Sequence, residues 1–336
     1  MHYGKIDLPI WNFLPNNFLR FVILQILCYT VDIPLKNTRK LTHGYLLTNS
    51  YLITCSYIIR WSYAIDGVNK MKIESVKLVY FSPTGTTKAV VQGIARGINP
   101  GIVELIDITR PGVRKQPLQT SENELLVIGV PVYMGRVPAL LNEWLDAIQA
   151  HNTPTVCVVV YGNRVYDDAL LELKNTVMKC GCIPIACAAY IGEHSFSNSE
   201  TPTAEGRPDE DDLHHAEVFG QKIREKLQSV SSISQVSDVH VPGNYPYGGV
   251  TKLWTVDFIA VSDDCSQCGT CAEVCPVGAI DPENSNLIDI EKCITCCACI
   301  KSCPQSARSM KPGMVKDASV RLHTLYSQRK EPEYFI

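Results

Sequence analysis

The chain lacks an apolar run long enough to cross a membrane, which takes roughly 18 residues. Phe21–Cys28 stops after eight residues and follows Arg20, and Tyr51–Ile59 is broken by Thr54 and Ser56. The opening Met1-His2-Tyr3-Gly4-Lys5 makes a poor secretory n-region, so neither secretion nor stable membrane insertion is expected. Positive charge is not in excess: the net charge is −3, which leaves no basic footprint for nucleic acid. A GxxxxGK[ST] loop is missing, which argues against a nucleoside triphosphatase. No acid–base or nucleophile constellation stands out, so no catalytic residue is assigned. Glu is absent from residues 1–70, which hold one alanine, Ala64, and six tyrosines. That composition differs from everything after it. One reading is an extra structural or membrane-associating segment. The favoured one is that translation starts at Met71, where Met71-Lys72-Ile73 leads directly into a well-patterned strand.

Cysteine, by contrast, is abundant. Nine of the 15 cysteines lie between Cys265 and Cys303 in a chain of 336 residues, which is too long for a small disulfide scaffold. Free thiols and metal ligands imply a reducing compartment, and a cytoplasmic location is expected. Apolar residues make up 46% and charged residues 19%, ordinary for a globular chain with room for two domains.

From Val76 onward, short apolar runs alternate with segments of helical length. Strands are read at Val76–Phe81, Ile102–Ile106, Leu125–Val130, Thr155–Tyr161 and Ile183–Tyr190. Helices are read at Thr86–Gly97, Ala139–Ala150, Asp167–Cys180 and Asp209–Gln228. That alternation predicts βαβ crossovers and a parallel sheet buried on both faces. Five strands fit a flavodoxin-like α/β sheet of order 2-1-3-4-5. Its ligand site is expected beyond the carboxyl ends of the strands, at the switch point.

Three loops at those ends carry chemistry. After the first strand comes Ser82-Pro83-Thr84-Gly85-Thr86-Thr87. Its hydroxyls, its glycine and the following helix N-terminus suit a phosphate dianion, while a plain N-capping turn is the competing reading. After the third comes Pro131-Val132-Tyr133-Met134-Gly135-Arg136, where a ring and a thioether can stack on a heterocycle. After the fourth comes Tyr161-Gly162-Asn163-Arg164. Each of the last two loops alone could be an ordinary turn. His194 could relay protons, but it is read here as a loop histidine packed beside Glu193. Cys157, Cys180, Cys182 and Cys187 fall in or beside core elements and read as small apolar residues.

Residues 231–262, rich in Ser, Val, Pro and Gly, read as a linker wrapping over the surface rather than a core element. Then Cys265-x-x-Cys268-x-x-Cys271-x-x-x-Cys275-Pro276 is repeated 28 residues later as Cys293-x-x-Cys296-x-x-Cys299-x-x-x-Cys303-Pro304. Three thiolates spaced by two residues can curl around one cubane, while the fourth ligates the other cluster. The expected sets are Cys265, Cys268, Cys271 and Cys303 for one [4Fe–4S] cluster, and Cys293, Cys296, Cys299 and Cys275 for the second. Zinc sites use paired Cys-x-x-Cys units and need no displaced fourth ligand. Cys297 reads as a packed neutral thiol.

Residues 73–310 resemble bacterial and archaeal proteins that fuse a flavodoxin-like domain to a two-cluster ferredoxin. The three loops carry the resemblance, together with Ile191-Gly192-Glu193-His194-Ser195-Phe196, Gly206-Arg207-Pro208-Asp209 and both cysteine runs. Met134 departs from it, since a small residue such as Gly is common there. The resemblance implies FMN, with its phosphate at Ser82–Thr87 and its ring between the Tyr133 and Tyr161 loops. It also implies domains at 71–230 (flavodoxin-like, FMN-binding), 263–312 (small α+β ferredoxin) and a tail at 313–336. The expected function is electron transfer between the clusters and FMN, acting on an unidentified redox partner protein. The alternative is a flavin-free docking or regulatory module.

Overall fold

In a computed structural model the described residues are 71–250 and 254–336. The expectations for residues 1–70 lie outside them. Among the described residues no helix is long and apolar enough to cross a membrane.

The chain runs β1 (Ser75–Tyr80), α1 (Thr86–Ile98), β2 (Val103–Asp107), β3 (Gln119–Thr120) and β4 (Glu124–Pro131). It continues through α2 (Asn142–Asp146), β5 (Gln149–Ala150), β6 (Thr153–Tyr161), α3 (Ala169–Lys179), β7 (Cys182–Ile191) and α4 (Glu210–Ser229). The five predicted strands lie parallel in the predicted order, β2-β1-β4-β6-β7. Leu78, for example, sits between Leu105 and Val127.

Alternating side chains feed two cores. Val91 and Ile94 of α1 and Phe219 and Ile223 of α4 cover one face of the sheet. Leu145 of α2 and Leu170, Leu173 and Val177 of α3 cover the other. An Asp209–Asp212 capping box starts α4 and satisfies two N–H groups that have no intrahelical acceptor.

Four expectations need correction. The sheet is not buried on both faces throughout: β2 is an edge strand, with Val103 and Leu105 exposed. The predicted helix Ala139–Ala150 breaks up into a 3-10 turn at Ala139–Leu141, the short α2, and β5. There, tertiary bonds outcompete the helix: Gln149 N–H donates to Leu118 O, and the Trp144 indole N–H donates to Gln116 O at 3.0 Å. The predicted surface linker places Val239 and Val241 in the core. The predicted tail forms α7 (Met314–Leu325) and β10 (Glu333–Phe335). Strand β10 adds a sixth, antiparallel strand beside β7. Its anchor is Tyr334, stacked on Phe219 at 5.0 Å. Three residues are too few to announce a strand by alternation.

The second domain is small and α+β. Strand β8 (Ile259–Val261) pairs antiparallel with β9 (Arg308–Met310). Helices α5 (Thr270–Glu273) and α6 (Ala298–Lys301) lie between them in sequence. Phe258, Ile259, Ile280 and Val315 are buried together in its core.

Candidate flavin crevice and iron–sulfur centre

The first loop leaves β1 and turns at Gly85, whose φ of 88° lies in the left-handed region. Helix α1 then starts with no side-chain cap. Ser82 Oγ accepts the Lys88 N–H at 3.1 Å, and the Ser82 N–H donates to Thr109 Oγ1 at 2.7 Å. The Thr86 and Thr87 N–H groups have no acceptor among the described residues. Thr87 is fully buried, yet its Oγ1 is unpartnered. A buried hydroxyl without a partner is costly, and an anion at this helix start would satisfy it together with both N–H groups. Ser82, Thr84, Thr86 and Thr87 line one hollow with Pro131, Tyr161 and Gly192.

The second loop is a tight hairpin. Tyr133 and Arg136 exchange backbone hydrogen bonds at 2.9 and 3.0 Å around Met134 and Gly135, both at positive φ. Two left-handed residues in succession mark a type I′ turn, which explains why Gly is the easier choice at position 134. The exposed Met134 side chain lines a neighbouring cavity instead.

Two residues expected to bind the cofactor face elsewhere. Arg136 forms a fork on Glu172, with Nε and Nη2 donating at 2.9 and 2.6 Å, and lies over the Tyr247 ring. Asn163 is buried, and its Nδ2 donates to Tyr326 O and Gln328 O at 2.6 and 2.8 Å. The buried carboxylate of one and the tail carbonyls of the other outbid the crevice, and neither partner is visible in the local pattern. Arg164 does line the cavity, paired with Asp167.

The loop histidine His194 lies at the crevice. Glu193 pairs with Lys301 at 2.5 Å and lines the phosphate-side hollow with His194, which also faces the larger cavity. Gly162 makes this possible, because a Cβ there would lie 2.2 Å from His194 Cδ2. His194 Nδ1 accepts the Phe196 N–H at 3.0 Å, which assigns the ring proton to Nε2. Burial, then the Lys301 and Arg164 charges, lower its pKa to about 4, so the ring is neutral at pH 7. Linker and tail complete the enclosure. Asn244 and Gly248 N–H groups donate to Asp168 at 2.8 and 2.6 Å, drawing the linker across the loops. Trp254, Arg321, Leu322 and Tyr326 join the wall of a cavity of about 740 Å³. That volume is ample for a ring system. No local motif could have found these four residues, since the fold brings them in from beyond the sheet.

The cysteines divide by environment. Cys275 lines one small cavity with Cys293, Cys296, Cys297 and Cys299, so the fourth cysteine of the first run lies beside the second run. Burial drives the Cys293, Cys296 and Cys299 thiols upward, Cys299 to about 12, with Arg308 pulling the other way. Bare thiols there stay protonated, and only a metal would hold them as thiolates. In the other set Cys271 is buried and Cys265 and Cys303 are half-buried, while Cys268 is exposed with its Sγ 3.4 Å from Thr270 Oγ1. Cys268 Sγ also lies 3.9 Å from Gln305, next to Pro304 and Cys303. Among the described residues no three His, Cys, Asp or Glu side chains converge on one point as the ligands of a single ion do. A cubane instead spreads four thiolates over four irons. Cys297 is 2% exposed, and burial raises its thiol well above the ordinary value.

The two regions share a wall. Burial raises the Tyr133 phenol far above its ordinary value, and Cys296 and Cys297 beside it add to the shift. Val132, Tyr133, His194, Phe196, Ile294 and Thr295 bound a common pocket. Arg114 Nη2 donates across the junction to Pro276 O at 2.7 Å.

Residues 258–304 match the family described as a 4Fe-4S dicluster domain. The chain joins a flavodoxin-like domain to an iron–sulfur domain. Such a domain serves electron transfer. Among solved structures, a flavodoxin from the domain Archaea is similar at 19% identity and TM-score 0.33, covering 46% of this chain and 98% of that one. A Fusobacterium nucleatum flavodoxin bound to flavin mononucleotide is similar at 13% identity and TM-score 0.30, covering 45% and 98%. A Streptococcus pneumonia TIGR4 flavodoxin is similar at 14% identity and TM-score 0.32, covering 45% and 99%. The strand order, rather than these likenesses, carries the fold assignment. No curated protein matches the chain in sequence.

Proposed function

We propose that this protein transfers electrons between two [4Fe–4S] clusters and an FMN held in the crevice. The observation that carries this reading is the place of Tyr133, which lines the crevice and lies beside Cys296 and Cys297, with Ile294 lining both its pocket and the cysteine cavity. When bound, the clusters supply single electrons and the flavin accepts one or two.

The chain's own residues do the positioning. The Thr86 and Thr87 N–H groups and the Thr87 hydroxyl would hold the phosphate. Tyr133, Met134, Tyr161 and Gly162 would border the ring, and the His194 Nε2–H is a fixed donor toward it. Linker and α7 line one side of the ring site. A partner protein is served at the exposed Cys268 side, through the cluster of Cys265, Cys268, Cys271 and Cys303. The thiol and cluster chemistry suits a reducing compartment such as the cytoplasm.

Anaerobic purification followed by iron assay and flavin release tests the proposal. About eight irons, from two four-iron cubanes, and one FMN per chain are expected. Eight irons with no flavin would reject the FMN half and favour a docking module, and four irons would reject the second cluster.

A further inference from the structure

Two polar side chains of the cluster domain are buried side by side with part of their hydrogen-bonding capacity unused. Arg308 is 4% exposed and Ser285 1%. The Arg308 Nη2 donates to Ser285 O, yet neither Arg308 Nη1 nor Ser285 Oγ has a partner among the described residues. No carboxylate pairs with Arg308 among them either. An unpaired buried cation beside an orphaned hydroxyl is costly twice over. One anion in contact with both would satisfy them together.

The backbone places this pair beside the first cysteine run. The Ser285 N–H donates to Oε1 of Gln267, which stands between Cys265 and Cys268, at 2.8 Å. Ala307, the residue before Arg308, accepts the Ser262 N–H at 2.9 Å, and Ser262 O accepts the Cys265 N–H at 3.1 Å. The 28-residue repeat agrees. Gln267 and Thr295 share positive φ values of 56° and 53°, and Gly278 and Ser306 share 60° and 51°. Ile280, five residues after Cys275, lines the cavity of Cys275, Cys293, Cys296 and Cys299. Arg308, five residues after Cys303, takes the matching place toward the set that Cys303 completes.

We infer that Arg308 and Ser285 form an anion-binding wall of the Cys265, Cys268, Cys271 and Cys303 cluster that raises its reduction potential, so that an added electron settles on the side of the exposed Cys268. The inference rests on the two-cluster reading above. A cubane held by four thiolates is an anion, and reduction adds one electron from a one-electron donor and one more negative charge. A guanidinium and a hydroxyl donor favour that more negative form, and low dielectric strengthens the attraction. The cavity of Cys275, Cys293, Cys296 and Cys299 has the apolar Ile280 in the matching place and receives no such help.

The test is an anaerobic potentiometric titration of the full chain with dithionite, monitored by EPR, for wild type, Arg308→Met, Arg308→Lys and Ser285→Ala, with iron assayed first. In R308M one cluster is expected to become at least tenfold harder to reduce, a fall of about 59 mV for a one-electron couple. The other should shift by less than threefold. R308K, which keeps the charge, should stay within threefold of wild type at both clusters, and S285A should make one cluster about threefold harder to reduce. Repeated in Cys268→Ser, where the other cluster alone remains, R308M should move its potential by less than threefold. Two intact clusters with unmoved potentials in R308M would overturn the inference, as would a tenfold fall in R308K or a tenfold fall in the Cys268→Ser background. If R308M loses iron, S285A decides, and unmoved potentials there would overturn the inference. Fewer than two clusters in wild type would instead refute the underlying two-cluster reading.

Discussion

The crevice and the cluster domain ask different things of their sequence. Every cluster cysteine lies within a run of eleven residues, Cys265–Cys275 or Cys293–Cys303, so a short stretch of backbone sets the spacing of the thiols. The crevice draws its wall from β-strand ends, the Gly192–Phe196 loop, the linker and α7, so only folding assembles it. A locally coded site tolerates change elsewhere. A site assembled from distant segments depends on the contacts that hold those segments, such as the Asn163 and Asp168 clamps.

Substituting one cysteine on each side of the cluster domain should show the largest effect. Cys296→Ser is expected to remove about half the iron and to abolish cluster-fed reduction of the flavin. Cys268→Ser, at the exposed site, should also cost about half the iron but leave the Tyr133 junction intact, so a flavin reduced through the remaining cluster stays observable. Indistinguishable flavin kinetics in the two variants would dissolve the distinction between an inner and an outer site.

Within the crevice, Asn163→Gly keeps the left-handed backbone at φ 64° and removes only the side chain. Losing its two bonds to the tail should lower stability by about 1–3 kcal/mol in chemical denaturation, with the tail becoming protease-sensitive. Thr87→Val should weaken FMN binding about tenfold, roughly 1.4 kcal/mol. The flavin-free protein should lose no stability, because the hydroxyl removed is unpartnered there. If T87V melts lower without flavin and binds FMN normally, the phosphate cradle is misassigned.

A last effect, confined to acid pH, concerns His194. His194 titrates near 4 in the folded chain and near 6.5 when unfolded. Between those values the unfolded chain binds more protons, so the His194 contribution to stability is lost as pH falls from about 6.5 toward 4 and is constant above. His194→Asn should flatten that part of the stability–pH curve by up to about 1.4 kcal/mol per pH unit. An unchanged slope would mean that the ring is solvated.

The same comparison explains what the sequence could and could not reveal. Five strands were legible because each is a short, mostly apolar run bounded by turns, and their order came with the flavodoxin-like fold that five such strands fit. Strand β10 was not, since its place depends on Tyr334 finding Phe219. The loops Ser82–Thr87 and Tyr161–Arg164 were recognisable, but the directions of Arg136 and Asn163 were set by Glu172 and by the tail carbonyls, each distant in sequence. His194 gave no local sign of its role, because the space it occupies exists only where Gly162 lacks a side chain. In the cluster domain the expectation that Cys275 serves the second set came from spacing, whereas the burial of both Ile280 and Arg308 at matching positions had no sign there.

Rapid mixing of the anaerobic protein with a one-electron donor, followed at iron–sulfur and flavin absorbance together, tests the junction most directly. Cluster bleaching should come first, with flavin reduction following at a rate independent of protein concentration. A flavin that is reduced only in proportion to protein concentration, or not at all while the clusters are reduced, would contradict an intramolecular path through the Tyr133 wall.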